Sequence, residues 1–281
     1  MDGHRVITEP GLRFRKMHGL GNDFVIIDQR SAEAPLSAEI ARAIGDRHRG
    51  VGFDQLAEIR PGRDADADLI FWNADGSQAE ACGNATRCVA DLLLRESDQD
   101  HLVLRTVRGL LPSRRREDGL IEVDMGPPSL DWQDVPLARP CDTAFVPLEG
   151  DPAACSMGNP HCTYFVDDAD AADLEGIGAA TEHDPLFPNR TNVQLVQVNS
   201  ASHARVRVWE RGVGPTLASG SSSCAVVVNA HRRGLLDRKA TLTLDGGDIQ
   251  IHWREEDGHV LMAGPVAYVF EGVFDPSFVT P

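Results

Sequence analysis

Two short segments, one in each half of the chain, combine residue types that can move protons. They are Ala81-Cys82-Gly83-Asn84 and Ala218-Ser219-Gly220-Ser221. Each has a small residue, a Cys or Ser, a glycine and a polar residue, and an apolar helical stretch follows. Two unrelated helix starts could explain the match, because helices often begin at such residues. The sharper interpretation is two similar domains, each presenting one reactive side chain at a helix N-terminus.

This arrangement suits acid/base chemistry at a carbon next to a carboxylate. A helix N-terminus has free N–H groups and the positive end of the helix dipole, so it can bind a carboxylate. The same field is expected to lower the pKa of the Cys82 thiol from about 8.5. Two facing termini could remove a proton from one face of an α-carbon and return another to the opposite face. Such a site needs no metal or bound cofactor, provided it is dry and preorganised.

Strands are the main elements that must position these segments. Alternating apolar and polar residues predict strands over Ile121–Met125, Asn192–Val198, Ala204–Glu210, Lys239–Asp245, Ile249–Trp253, His259–Ala263 and Val266–Phe270. Helices are predicted over Ser37–Arg47, Thr86–Arg95 and Ser222–Arg233. A proline-rich stretch after Met125 is typical of a linker. We therefore predict an α+β protein.

Composition excludes several classes of function. The 281 residues include 27 Lys+Arg and 43 Asp+Glu, a net charge of −16 that disfavours nucleic-acid or anionic-membrane partners. The sequence lacks a membrane-length apolar run and an apolar leader, and its six cysteines are too sparse for a disulfide framework. A cytoplasmic protein is expected. No cysteine or histidine spacing supports a structural zinc site, so no metal is predicted.

Motifs along most of the chain resemble the diaminopimelate epimerase family of cofactor-independent amino-acid epimerases. In chain order they are Lys16–Phe24, Gly50–Gln55, Asn73–Ser77, Ala81–Asn84, Met157–Cys162, Arg190–Val193, Glu210–Gly214, and Gly264–Pro265 with Val269–Gly272. Ordered motifs at compatible spacing are far more specific than any one of them. The resemblance implies two similar domains, each a small sheet or barrel around a central helix, with the active site in the cleft between them. We expect residues 1–126 and 266–281 to form one domain and residues 127–265 the other.

The resemblance also implies a reaction, the epimerisation of LL-2,6-diaminopimelate to meso-diaminopimelate for lysine and peptidoglycan synthesis. By motif position, Cys82 is the first catalytic residue and Ser219 takes the second position, with His161 and Glu210 in support. Backbone N–H groups of Gly83, Asn84, Gly220 and Ser221 would bind the substrate α-carboxylate. The other expected substrate contacts are Asn22, Gln55, Asn73, Asn159, Asn192, Glu210 and Arg211. The expected partner is thus a small amino acid, with no cofactor, and a homodimer is the candidate oligomeric state.

Ser219 departs from the family, which has a cysteine at this position. A hydroxyl is a far weaker acid than a thiol and needs a neighbouring base. The serine-rich loop at residues 221–223 favours natural divergence over an engineered substitution. Ser219 could act with help from His161 or Glu210, or Cys82 could work alone, as in a related racemase or dehydratase. A diamino-acid-binding homologue without turnover is a further hypothesis. The distal contacts Asn73, Asn159, Asn192 and Arg211 are all present, so we predict diaminopimelate specificity.

Overall fold

The computed structural model describes residues 11–79 and 82–279, which form seventeen strands and five helices. The strands are β1 (Arg13–Gly19), β2 (Asn22–Asp28), β3 (Gln55–Pro61), β4 (Ala67–Asn73), β5 (Gln78–Ala79), β6 (His101–Thr106), β7 (Gly109–Arg115), β8 (Ile121–Asp124), β9 (Ala153–Ser156), β10 (Pro160–Phe165), β11 (Asn192–Ser200), β12 (His203–Glu210), β13 (Gly214–Thr216), β14 (Lys239–Leu244), β15 (Gly247–Trp253), β16 (Val260–Gly264) and β17 (Ala267–Val273). The helices are α1 (Ala38–Gly45), α2 (Gly83–Glu96), α3 (Leu174–Glu182), α4 (Gly220–Arg232) and α5 (Pro276–Val279). No helix within these ranges is long and apolar enough to cross a membrane.

The same order of elements occurs twice along the chain. The first unit runs β1-β2-α1-β3-β4-β5-α2-β6-β7-β8 and the second β9-β10-α3-β11-β12-β13-α4-β14-β15-β16. The pairings repeat as well: β2 lies parallel to β3 as β10 does to β11, and β4 to β6 as β12 does to β14. Antiparallel pairing of β8 with β16 joins the units, and β17 pairs with β1. The predicted two-domain α+β fold is confirmed, and the exact domain boundaries stay a prediction.

One central helix fills the core of each unit. Residues 83–94 of α2 are buried, and the helix packs among side chains of the surrounding strands such as Met17, Phe24 and Leu104. Helix α4 is buried over most of its length in the second core, beside Val206 and Ile251. A helix that is apolar on most sides is stable only when a sheet wraps around it. This enclosure fixes the direction and position of both helix N-termini.

Most of the predicted elements are confirmed. The predicted strands correspond to β8, β11, β12 and β14–β17, and the Ser37 hydroxyl caps α1 by accepting from Ile40 N at 3.3 Å. Helices α2 and α4 begin earlier than predicted, because Cys82 and Ser219 are themselves the N-cap residues. The sequence missed α3 and strands such as β9, whose four residues are all buried and therefore show no alternation.

A cluster of charged residues ties the first strands of the N-terminal unit together. Lys16 in β1 pairs with Asp23 in β2. Arg47, which follows α1, bridges Asp23 Oδ1 at 2.8 Å and Asp54 Oδ1 at 2.7 Å. Asp54 Oδ2 in turn accepts from Asn22 Nδ2 at 2.8 Å. The cluster therefore holds Asn22, one of the predicted substrate contacts, in a defined orientation.

Replacing Asp23 by Asn should destabilise the protein at neutral pH and less so in acid. Burial alone would raise the pKa of Asp23, but hydrogen bonds from Arg47 and Lys16 lower it to about 2. Because the folded-state pKa lies below the unfolded one, this stabilisation is present above about pH 4 and is lost as the pH falls toward 2. We expect Asp23→Asn to lower the free energy of unfolding by about 1–2 kcal/mol at pH 7.

Urea denaturation at pH 7 and pH 3 measures this difference. The gap between wild type and Asp23→Asn should narrow at the lower pH, whereas Glu33→Gln, at an exposed carboxylate, should have little effect at either. A gap of the same size at both pH values would show that the charge of Asp23 does not carry the stabilisation.

Candidate active site

A cavity of about 590 Å³ is lined by residues from both units. Eleven predicted site residues line it: Asn22, Gln55, Asn73, Cys82, Gly83, Asn84, Asn159, Glu210, Ser219, Gly220 and Ser221. The N-termini of α2 and α4 both open into this cavity. His161, Asn192 and Arg211 lie outside its lining.

The two helix starts approach each other across one methionine side chain. A Cβ atom on Gly83 would lie 2.7 Å from Met262 Cε, and one on Gly220 would lie 2.9 Å from Met262 Sδ. Contacts that short do not occur at real Cβ atoms, so the flexible end of the Met262 side chain would have to move if either glycine carried a side chain. The Asn84 Oδ1 atom lies 3.4 Å from the position of a Gly220 Cβ, so the first turns of the two helices face each other.

Cys82 and Ser219 occupy equivalent N-cap positions with different surroundings. Both have extended backbone conformations, with φ of −146° and −138°. The Cys82 sulfur accepts from Ala85 N at 3.4 Å, whereas the Ser219 hydroxyl makes no capping bond. The Ser219 side chain is therefore available to a neighbour other than its own helix.

The expectation that the helix terminus lowers the pKa of Cys82 is wrong. Burial raises the pKa of this thiol to about 12, and the negative charge of Glu210 adds to the effect. The Ala85 N–H favours the thiolate but does not offset burial. Cys82 is therefore protonated at neutral pH.

Glu210 lies beside Ser219 and is itself perturbed. Burial raises the pKa of its carboxyl group, while a hydrogen bond from Thr216 Oγ1, at 2.9 Å to Oε1, favours the charged form. The nearby charge of Asp54 raises the pKa further, and a hydrogen bond from Ser219 lowers it. The net shift is upward, so Glu210 can hold or release a proton closer to neutral pH. It is a carboxyl group in contact with the serine that replaces the family cysteine.

His161 is buried behind the cavity wall with both ring nitrogens engaged. Its Nε2 lies 2.9 Å from Asn159 Oδ1, and its Nδ1 lies 3.1 Å from Gln194 Nε2. Burial lowers the pKa of His161 to about 3, and the positive charges of Arg108 and Arg211 act in the same direction. The ring is therefore neutral. Of the two candidate helpers of Ser219, Glu210 is the one that contacts it.

Polar side chains of the first unit line one wall of the cavity. Asn84 Nδ2 donates to Asn22 Oδ1 at 3.1 Å, and Gln55 Nε2 donates to Asn73 Oδ1 at 3.3 Å across the β3–β4 pair. Asn84 Oδ1 is buried and has no hydrogen-bond partner among the residues that the structure describes. A buried acceptor of this kind is costly unless a ligand supplies a donor.

The side-chain amide of Asn192 is hydrogen-bonded to the backbone. Its Nδ2 donates to Pro160 O at 2.9 Å, and its Oδ1 accepts from Arg211 N at 3.0 Å. Arg211 reaches Asn189 O with Nη1 at 3.2 Å. These two residues thus connect β10, the end of β12 and the segment at Asn189 rather than lining the cavity.

The cavity also includes residues that sequence reasoning missed. Arg47, Asp54 and Arg108 add charge to its rim, and Met125 and Leu217 add apolar surface. Asp54 precedes Gln55 and could have been found from that motif, whereas Arg108 stands in a hairpin turn with no local signal. Within residues 11–79 and 82–279, no group of three or more His, Cys, Asp and Glu side chains is placed to hold a metal ion.

Solved structures with this fold include amino-acid epimerases. The fold is similar to that of a phenazine biosynthesis protein of the PhzF family from Bacillus anthracis, with a TM-score of 0.68 at 15% identity, over 94% of this chain and 99% of that one. A hydroxyproline epimerase from Agrobacterium vitis, solved with bound trans-4-hydroxy-L-proline, also gives a TM-score of 0.68, at 14% identity over 96% and 94% of the two chains. Identities this low establish the shared fold alone.

Sequence relatives are much closer. The chain is 52% identical over 273 residues to the diaminopimelate epimerase of Acidiphilium cryptum, covering 95% of this chain and 98% of that protein. It is 54% identical over 263 residues to that of Gluconobacter oxydans, covering 93% and 98%. The family profile described as diaminopimelate epimerase matches residues 14–130 and 153–269, one segment in each repeated unit. The chain therefore belongs to the diaminopimelate epimerase family of isomerases.

Proposed function

We propose that this protein converts LL-2,6-diaminopimelate to meso-diaminopimelate by inverting one α-carbon. The observation that carries the proposal is the placement of Cys82 and Ser219 at equivalent helix N-termini that open into one cavity. An epimerase needs a proton acceptor on one face of the α-carbon and a proton donor on the other. The relatives at 52–54% identity are named diaminopimelate epimerase, which supports this substrate.

The substrate would bind through complementary charges at both ends. Backbone N–H groups at Gly83, Asn84, Gly220 and Ser221 would receive the α-carboxylate of the reacting centre, because the first N–H groups of a helix have no partner within it. The unpartnered Asn84 Oδ1 would accept from the α-ammonium group. The polar side chains of Asn22, Gln55, Asn73 and Asn159 would bind the distal amino and carboxylate groups. Asn192 and Arg211 would support that distal wall.

Proton transfer would use Cys82 on one face and Ser219 with Glu210 on the other. In each direction one group takes the α-proton and the opposite group gives a proton to the resulting carbanion, so the substrate gains and loses one proton. Ser219 is too weak an acid to work unaided. Ser219 contacts Glu210, whose pKa is raised. The Glu210 carboxyl group can therefore take the proton of the Ser219 hydroxyl or give one back to it. This contact favours the two-sided mechanism over one in which Cys82 acts alone.

Exchange of the substrate α-proton in deuterated water tests the proposed reaction. With LL- and, separately, meso-diaminopimelate, proton NMR should show loss of the α-proton, and chiral derivatisation should show inversion. Cys82→Ala should abolish both, whereas Cys141→Ala, a thiol outside the cavity, should change neither. Exchange without inversion would mean a one-base enzyme. Binding without exchange would mean a diamino-acid-binding protein.

Restoring the family cysteine should raise turnover. We expect Ser219→Cys to increase kcat several-fold, because a thiol ionises far more readily than a hydroxyl. Glu210→Gln should then lower kcat more in the wild-type background than in Ser219→Cys, since the thiol depends less on the carboxyl neighbour. Steady-state kinetics of the four proteins measure both effects. An unchanged rate in Ser219→Cys would remove Ser219 from the proposed mechanism.

A homodimer is proposed on the evidence of strand β17. One edge of β17 pairs with β1, and no strand within the described residues pairs with its other edge. Its side chains include exposed Tyr268, Val269, Phe270 and Val273. An exposed apolar edge strand readily pairs with a second copy. Light scattering should therefore give the dimer mass for wild type and for Val107→Lys, an exposed apolar site elsewhere, and a lower mass for Val269→Lys. A monomeric wild type would exclude the dimer.

A cytoplasmic location is also proposed. All six cysteines are free thiols, including the four that are buried. Free thiols are typical of a reducing compartment. This supports the location expected from the composition.

A further inference from the structure

A set of buried polar side chains connects the core of the second unit to the cavity. His161 and Thr163 lie two residues apart on β10, so their side chains share one face of the strand. The parallel register places Thr163 opposite Gln194 on β11. Thr163, Gln194, His161 and Asn229 of α4 are fully buried. Buried polar groups are almost always hydrogen-bonded, so each donor must meet an acceptor. The partners of these side chains therefore determine the direction of every bond between them.

The direction is set at Asn229. Its Nδ2 lies 3.3 Å from Ala153 O, which can only accept, and its Oδ1 lies 3.3 Å from Arg232 Nη1, which can only donate. The amide orientation is thus fixed, and Nδ2 also donates to Thr163 Oγ1 at 3.0 Å. Thr163 is left with its own hydroxyl proton, which it donates to Gln194 Oε1 at 2.9 Å.

The bonds then continue in one direction toward the cavity. With its oxygen engaged by Thr163, Gln194 turns its amino group toward His161 Nδ1, at 3.1 Å. Nδ1 must accept, so the single ring proton of the neutral imidazole sits on Nε2 and is donated to Asn159 Oδ1 at 2.9 Å. Asn159 is left with its amino group, which lies 3.4 Å from Ser221 Oγ at the cavity wall.

We propose that Gln194 is a positioning residue that holds His161 in the Nε2–H tautomer, so that Asn159 offers only N–H donors to the bound substrate. This inference rests on the proposed function for the identity of the substrate. The distal carboxylate of that substrate would accept hydrogen bonds from those donors. The charged groups that act on His161 are Arg108 and Arg211, both positive, and they also disfavour a protonated ring. His161 thus acts through Asn159 and not by exchanging protons with the substrate.

The tautomer can be measured without substrate or turnover. In protein labelled with ¹⁵N-histidine, His161 should show a protonated Nε2 and an unprotonated Nδ1, with shifts that stay constant between pH 5 and pH 9. A His161→Gln variant assigns the signals. A proton on Nδ1, or a ring that titrates within this range, would overturn the proposal.

Gln194→Met tests the link to binding, and Gln197→Met is its matched control. Gln197 lies on the same strand, and its Oε1 accepts from Ala169 N, away from the cavity. We expect Gln194→Met to shift the His161 signals toward mixed tautomers and to raise KM for LL-diaminopimelate by about tenfold, with a smaller change in kcat. Gln197→Met should change neither.

A double-mutant cycle shows whether Gln194 works through Asn159. In an Asn159→Ala background, Gln194→Met should have little further effect on KM, because the positioned group is gone. Full additivity, or an unchanged KM in Gln194→Met, would overturn the proposal. If Gln194→Met does not fold, Thr163→Val, which removes one hydroxyl at nearly constant volume, should raise KM in the same direction. Absence of turnover in wild type would refute the proposed function, while the tautomer measurement would still stand.

Discussion

The close approach of two buried helix N-termini is the constraint on which the rest of the site depends. Glycines at the first helical positions let both helices begin against Met262, whose side chain would have to move to admit a Cβ atom at either position. Each helix is enclosed by the strands of its own unit, so neither N-terminus can shift without disturbing a core. Two sets of free N–H groups are therefore held toward one cavity before any ligand arrives. Such preorganisation is what electrostatic catalysis requires.

The repeat produces symmetry in the backbone but not in the chemistry. Cys82 and Ser219 occupy equivalent positions with nearly the same φ, yet only the cysteine side chain accepts a hydrogen bond from its own helix. The serine faces the carboxyl group of Glu210, the last residue of β12. A thiol ionises more readily than a hydroxyl, which needs a neighbour that takes or gives its proton. The asymmetry of the surroundings thus matches the asymmetry of the two side chains.

Burial acts differently on the ionisable groups around the cavity. It raises the pKa of the Cys82 thiol and the Glu210 carboxyl group, and it lowers the pKa of His161, so in each case burial favours the neutral form. A substrate that carries both charges in one molecule is suited to such a site, because it brings its own counter-charges.

The sequence alone determined the fold class, most of the strands and the pairing of Cys82 with Ser219, because these depend on local periodicity and ordered motifs. It also identified eleven residues that line the cavity but not the charged residues of its rim, and the roles of the lining residues and the domain boundaries stay predictions. Tertiary structure decided that the pKa of Cys82 is raised, that Glu210 contacts Ser219, and that Gln194 stands behind His161. Burial and hydrogen-bond direction are set by residues far apart in the chain, which no local pattern records.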